Sequence, residues 1–311
     1  MTLNRRDLLK IGATSASLMA LPTLAGPVWS KNTISANGIR IDSVSDGHLQ
    51  LPTSFLFGSL TKETYEPILK KYNLQADTQK RDCNLTLLRD GKRTILFDVG
   101  SGPNFMPTAG KIADAFEHLG VPMEEVTDVV FTHAHPDHLW GVLDEFDEPL
   151  FPNAKYMISE KEWAYWTDPN TVTNIDESRK SFAAGAKRLL GTIEKDMSFF
   201  KYGAEILPNI ASLDTSGHTA GHASFEVKMG SENLVIVGDA ISNHHISFEQ
   251  PGISAGSDED KDQGIKSRKS LLDKLSHEKT KLIGFHLPSP GIGYVEKKGN
   301  AYKFVADNKS K

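Results

Sequence analysis

Four short apolar runs in this chain each stop at a carboxylate or an imidazole, and that pattern restricts its fold more than any other feature. Thr94–Phe97 leads into Asp98, Val129–Phe131 into His133, Leu234–Val237 into Asp239, and Leu282–Phe285 into His286. A continuous apolar run of four or five residues closed by glycine and polar residues reads as a strand buried on both faces. Its carboxyl end then opens into a loop, so side chains from four distant stretches are delivered from rigid supports. Helical spacing separates the runs: Ile112, Phe116 and Leu119 before Gly120 and Pro122, then "SRKSFAAGAKRLLGTI" and "IKSRKSLLDKLSHEK". "ASFEVK" alternates and reads as an antiparallel strand. Strands and helices interleave without a strict βαβ rhythm, so the expected class is α/β with mixed sheets covered by helices.

The amino terminus follows another logic. Arg5 and Arg6 precede Leu8, Leu9, Lys10 and a weakly apolar run to Ala25, which reads as a twin-arginine export signal, residues 1–25, with a periplasmic or secreted destination. The run is too short and too rich in Gly, Ala, Ser and Thr for a stable membrane span. Residues 26–311 are expected to form a single domain. Removing three cations and one anion with the signal takes the formal charge from -5 to -7. No basic block remains to meet a phosphate backbone, so nucleic acid is not an expected partner. Cys83 stands alone, cannot form an internal disulfide, and is read as a buried thiol. "SAGSDEDKDQG", Ser254 to Gly264, reads as an exposed loop leading into a helix.

The densest cluster is "THAHPDH", Thr132 to His138. In an extended loop His133 and His135 point to the same side and can reach one cation, while Asp137 and His138 follow where the chain turns into a helix and can face a second. Later strand ends supply His218, Asp239 and His286. The expected sets are His133, His135 and His218 for one ion and Asp137, His138 and His286 for the other, with Asp239 bridging. The expected cofactors are two divalent metal ions, Zn2+ for preference, since manganese, iron and cobalt suit similar ligands.

"THAHPDH", "SGHTAGH", "VGDA" and "GFHLP" together resemble the metal signature of the metallo-β-lactamase superfamily, and "HLPSPGIGYV" resembles its exported methyl parathion hydrolase-like group, which includes lactone and aryl ester hydrolases. The resemblance implies a four-layer αβ/βα sandwich of two mixed sheets with outer helices. It also implies hydrolysis by a hydroxide held between two metals, with Asp137 and Asp239 as catalytic residues, Asp137 orienting the nucleophile and carrying a proton to the leaving group. Small ester or lactone substrates and a homodimer follow from the same group. An aspartate at position 239 departs from the true β-lactamases of this fold and tells against antibiotic hydrolysis.

Around this set, His222 is expected to support a ligand and Asp98 to hold the neighbouring loop. His244 and His245 are expected in a solvated loop, and His48, His118 and His277 at the surface. Trp163, Tyr165, Trp166 and Phe182 are read either as a pocket wall or as core, and Phe105 as facing the metals. The alternatives to an ester or lactone hydrolase are a glyoxalase II-like thioesterase and a metal-binding protein without turnover.

Overall fold

The computed structural model describes residues 30–57 and 60–307, so the twin-arginine stretch lies outside the described residues. Seven strands form a first sheet in chain order: β1 (Ser30–Ala36), β2 (Ile39–Pro52), β3 (Thr78–Arg89), β4 (Thr94–Phe97), β5 (Asp128–Val130), β6 (Lys155–Ser159) and β7 (Met197–Phe200). Neighbours are antiparallel from β1 to β4 and parallel from β4 to β7. A second sheet holds β8 (Glu205–Leu207), β9 (Ile210–Asp214), β10 (Ala223–Met229), β11 (Glu232–Ile236), β12 (Lys281–Ile283), β13 (Ile292–Lys298) and β14 (Ala301–Ala306), again in chain order. Here only β11 and β12 run parallel.

Pleating decides what each strand touches. Ile95 and Phe97 of β4 point into the core between the sheets with Phe225, Val227 and Ile236, whereas Leu96 joins Phe116 and Leu190 under the outer helices Ile112–Leu119 and Lys180–Ile193. The helix Lys261–Glu278 covers the other sheet through Leu271, Leu272 and Leu275. Both faces of the central strands are therefore buried, which is why they read as unbroken apolar runs. The resulting order, helices, sheet, sheet, helices, is the αβ/βα sandwich expected from the sequence.

Register carries the functional residues to one edge of the sandwich. Ile236 of β11 pairs with Ile283 of β12, so Asp239 and His286, each three residues further on, leave the sheet together. Phe97 of β4 likewise pairs with Val130 of β5, which sets Asp98 beside the loop bearing His133.

Candidate metal centre

Local turns aim the expected ligands. His135 ends the extended loop as the N-cap of the short helix Pro136–Leu139, and Pro136 at its first position presets the turn that swings Asp137 and His138 inward. Asp98 leaves β4 with a φ of 60° and clasps the loop: its Oδ1 accepts from the Thr132 amide at 2.7 Å and its Oδ2 from the Thr132 hydroxyl and from His138 Nδ1, both at 2.8 Å. Asp98 thus holds the neighbouring loop as expected.

All seven expected ligands come together, buried. His133 Nε2 lies 2.9 Å from His135 Nδ1, which lies 3.0 Å from His218 Nε2. Asp137 Oδ2 lies 3.1 Å from His286 Nε2. Asp239 stands between, with Oδ2 3.4 Å from both His218 and His286 Nε2, and Oδ1 3.4 Å from His138 Nε2.

Outer partners fix which nitrogen faces inward. Carboxylate and carbonyl oxygens only accept, so the Nδ1–H groups of His138, His218 and His286 donate to Asp98, Asp258 Oδ1 at 3.1 Å and the Asp82 carbonyl at 2.9 Å. The Thr132 hydroxyl donates to Asp98 and so accepts from His133 Nδ1 at 3.0 Å. Each of the four rings then turns its Nε2 toward the centre, and on His133 and His218, whose pKa burial lowers, that atom carries a lone pair. His135 points Nδ1 inward and Nε2 toward Glu259, 3.8 Å away.

Lone pairs crowded in this way repel one another, and a cation among them removes the repulsion. Asp137 Oδ2, His138 Nε2 and Asp239 Oδ1 are buried without an aligned hydrogen bond, a costly arrangement unless they bind something else. Burial pushes the carboxyls of Asp137 and Asp239 up, but the imidazoles of His138 and His286 more than reverse this, so both stay below the usual carboxylate range. Burial and then the neighbouring imidazoles push His133 well down, keeping it neutral. Burial pulls His138 and His286 down, but the Asp137 and Asp239 carboxylates, with Asp98 beside His138, more than reverse this, so in the metal-free centre these two rings hold protons that a divalent ion would displace. Ionised carboxylates and imidazoles that give up a proton to the ion are a donor set such an ion takes, so the residues present fit a metal.

Several supporting residues escaped the sequence reading. The loop read as exposed, Ser254 to Gly264, buries Asp258 to 3% exposure, because its carboxylate holds His218 on one side and Arg268 Nη2, at 2.6 Å, on the other. Arg81 is buried on β3, donating to the Ser242 carbonyl at 2.7 Å and lying 3.7 Å from Asp239. Cys83, buried as expected, places Sγ within 4.8 Å of ligand atoms of Asp137 and His286. Burial, and then the carboxylates of Asp137 and Asp46, push its thiol up, so it stays protonated. His222 packs behind the expected ligand Asp239: its Nε2 accepts from the Asp239 amide at 2.9 Å.

His245 is a correction. It is 5% exposed, not solvated, because its ring stacks on Phe57 at 5.5 Å, and burial pulls it down to about 3. His244 is half-buried against Tyr72, and His48 is half-buried too, while His118 and His277 are exposed.

The aromatic residues divide. Trp166 is wholly buried core, and Trp163 packs on Phe199 at 5.0 Å. Phe182 lies 6.4 Å from His135 and carries Phe105 behind it at 6.5 Å. Of the expected wall, Tyr165 lines a cavity of about 630 Å³ together with Phe55, Ile175, Arg179, Asp258 and Glu259. The last two touch or face His218 and His135, so the cavity opens beside the first histidine group.

Two mixed sheets in a sandwich, with histidines and aspartates gathered at their strand ends, define a metal-dependent hydrolase. The chain belongs to the metallo-beta-lactamase superfamily, whose family model matches residues 78–283. An uncharacterized protein of Bacillus subtilis (strain 168), YobT, is 30% identical over 171 residues, 52% of this chain and 68% of its own length. The N-acyl homoserine lactonase AttM of Azorhizobium caulinodans is 29% identical over 112 residues, 36% of this chain and 39% of that protein. Among solved structures, the dizinc quorum-quenching lactonase AidC superposes with a TM-score of 0.84 at 24% identity, covering 90% of this chain and 98% of AidC.

Proposed function

We propose that the protein is an exported hydrolase of lactones, aryl esters or aryl phosphotriesters that works with two divalent ions, Zn2+ for preference. On this reading residues 26–311 form one hydrolase domain left after removal of the signal, and the enzyme acts in the periplasm or outside the cell. The observation that carries the two-metal reading is the placement of Asp239, whose two oxygens reach His218 of one ligand group and His138 and His286 of the other.

His133, His135 and His218 would hold one ion, and Asp137, His138 and His286 the other, with Asp239 shared. When bound, the pair would lower the pKa of water toward about 7 and polarise the substrate's acyl or phosphoryl oxygen. Asp137 Oδ2 has no aligned partner and faces the centre, so it can orient the attacking water and hand a proton to the leaving oxygen. Asp98, His222 and Asp258 keep the ligand rings and Asp239 in place. The cavity mixes Phe55, Ile175 and Tyr165 with polar groups, which suits an amphipathic ester or lactone. The lactonase AttM among the relatives supports the same substrate class.

The test pairs metal content per chain with initial rates on an aryl ester, a γ-lactone, an aryl phosphotriester, a glutathione thioester and a β-lactam. About two ions per chain, with lactone, ester or phosphotriester turnover lost in Asp239→Ala, is the expected result. Thioester turnover alone would move the protein to the glyoxalase II-like reading. Rates indifferent to Asp239→Ala, or one ion or none, would overturn the proposal.

A further inference from the structure

The first histidine group is assembled from both halves of the sandwich. His133 and His135 follow β5 of the first sheet, and His218 sits in the loop between β9 and β10 of the second. Their nitrogens nevertheless lie 2.9 and 3.0 Å apart, so something must set the spacing between two loops on different sheets.

Glu162 spans that gap. It sits in the first turn of the helix Glu160–Thr167, wholly buried, among groups that are all hydrogen-bond donors. Its Oε1 accepts from the Ala134 amide, between the two histidines, at 2.9 Å, and from Trp166 Nε1 at 2.6 Å. Its Oε2 accepts from the Thr219 hydroxyl and the Gly221 amide, both at 2.7 Å, in the loop that bears His218. Ser159, which caps the same helix by accepting from the Glu162 amide at 3.1 Å, donates to the Gly221 carbonyl at 2.7 Å. The fit is close: a Cβ on Gly221 would meet the Glu162 amide nitrogen at 2.0 Å. A lone buried carboxylate is expensive, and four donors are what make it tolerable.

We infer that Glu162 is a positioning residue that latches the His133–His135 loop to the His218 loop and thereby sets the geometry of the first metal group. This inference rests on the proposed reading of that group as a metal site. An amide cannot replace the carboxylate, because its NH2 would face donors on either side. It would turn toward Thr219, whose hydroxyl can switch to accepting, and leave the Gly221 amide unpaired. The His218 loop therefore loosens while the tie to Ala134 remains.

The experiment is competition between the metal-loaded protein and a chromogenic chelator, with the visible spectrum of the Co2+-substituted protein as a second readout. Glu162→Gln and Gly221→Ala should each release one metal equivalent with about 10–100-fold lower affinity and alter the Co2+ bands. Phe116→Leu, a core change in the helix Ile112–Leu119, should lower thermal stability without altering either readout. Wild-type affinity and spectrum in Glu162→Gln would overturn the latch, as would equal losses in Phe116→Leu, which would reduce the effect to general destabilisation. Failure of the underlying reading looks different: the wild-type chain itself would bind no metal that His218→Ala removes.

Discussion

Asp258→Asn is the sharpest probe of how the site is supported. Asp258 Oδ1 accepts from His218 Nδ1 at 3.1 Å, and Oδ2 accepts from Arg268 Nη2 at 2.6 Å and the Ala255 amide at 2.8 Å. Arg268 is 1% exposed, so it has no solvent to fall back on. An asparagine that keeps its oxygen on His218 turns its NH2 onto two donors. Flipped, it forces His218 to change tautomer and lose the inward Nε2 lone pair. Burial pushes the Asp258 carboxyl up, and His218 and Arg268 more than reverse this, so the aspartate is ionised at neutral pH and the substitution deletes a real charge. Leaving a buried guanidinium without its partner costs about 3–5 kcal/mol. At about 2 °C per kcal/mol for a chain of this size, thermal melting should fall by about 6–10 °C. Melting is followed with the protein metal-free, so that lost metal binding does not add to the effect. A double variant, Asp258→Asn with Arg268→Met, should recover much of the stability, because the unpaired charge is gone, but not the metal affinity. A fall under about 1 kcal/mol would refute the argument, as would a double variant no more stable than Asp258→Asn.

Three further outcomes follow from the same geometry. Gly238 has a φ of 53° and a Cβ there would stand 2.6 Å from His222 Nε2, so Gly238→Ala should displace Asp239 and cut hydrolysis about tenfold or more, read as kcat at saturating metal. Burial raises the Asp42 carboxyl, but hydrogen bonds from Arg40, Thr33 and Arg89 more than reverse this, so its folded pKa lies below the unfolded 3.8. Its contribution is present above that unfolded value and disappears as pH falls through the folded one, so acid unfolding below pH about 4 should be shallower in Asp42→Asn than in the wild type. Chelation should lower the melting temperature by about 5 °C or more, and added Zn2+ should restore it, since an ion at 100 times its Kd adds about 2.7 kcal/mol. A melting temperature indifferent to chelator would contradict the crowded lone pairs.

Much of the centre was legible because its signals are local. The runs before His133, Asp239 and His286 report both a buried strand and an expected ligand beyond its end, whereas the run before Asp98 ends in a residue that holds the loop, and "THAHPDH" compresses four of the expected ligands into one loop and turn. What misled were residues whose surroundings come from elsewhere. Asp258 sits in an acidic stretch that looks solvated, yet its partner His218 lies 40 positions away. Glu162, within "EKEWAYWT", looks like a charge on a helix surface, yet it meets Thr219 and Gly221 across 57 and 59 positions. Trp166 is drawn into the core because its indole N–H has that same carboxylate to bond.

The sequence by itself determined the interleaving of buried strands with helices and the seven expected ligand positions, because side-chain type and periodicity act within a few residues, and it pointed to the two-sheet sandwich through motifs that resemble the metallo-beta-lactamase superfamily. Only the tertiary structure decided which lone pairs face one another, that Asp239 stands between the two groups, and which buried carboxylates orient the rings. Those relations depend on the register of β11 on β12 and on contacts between the two sheets, and short-range spacing along a chain carries no record of either.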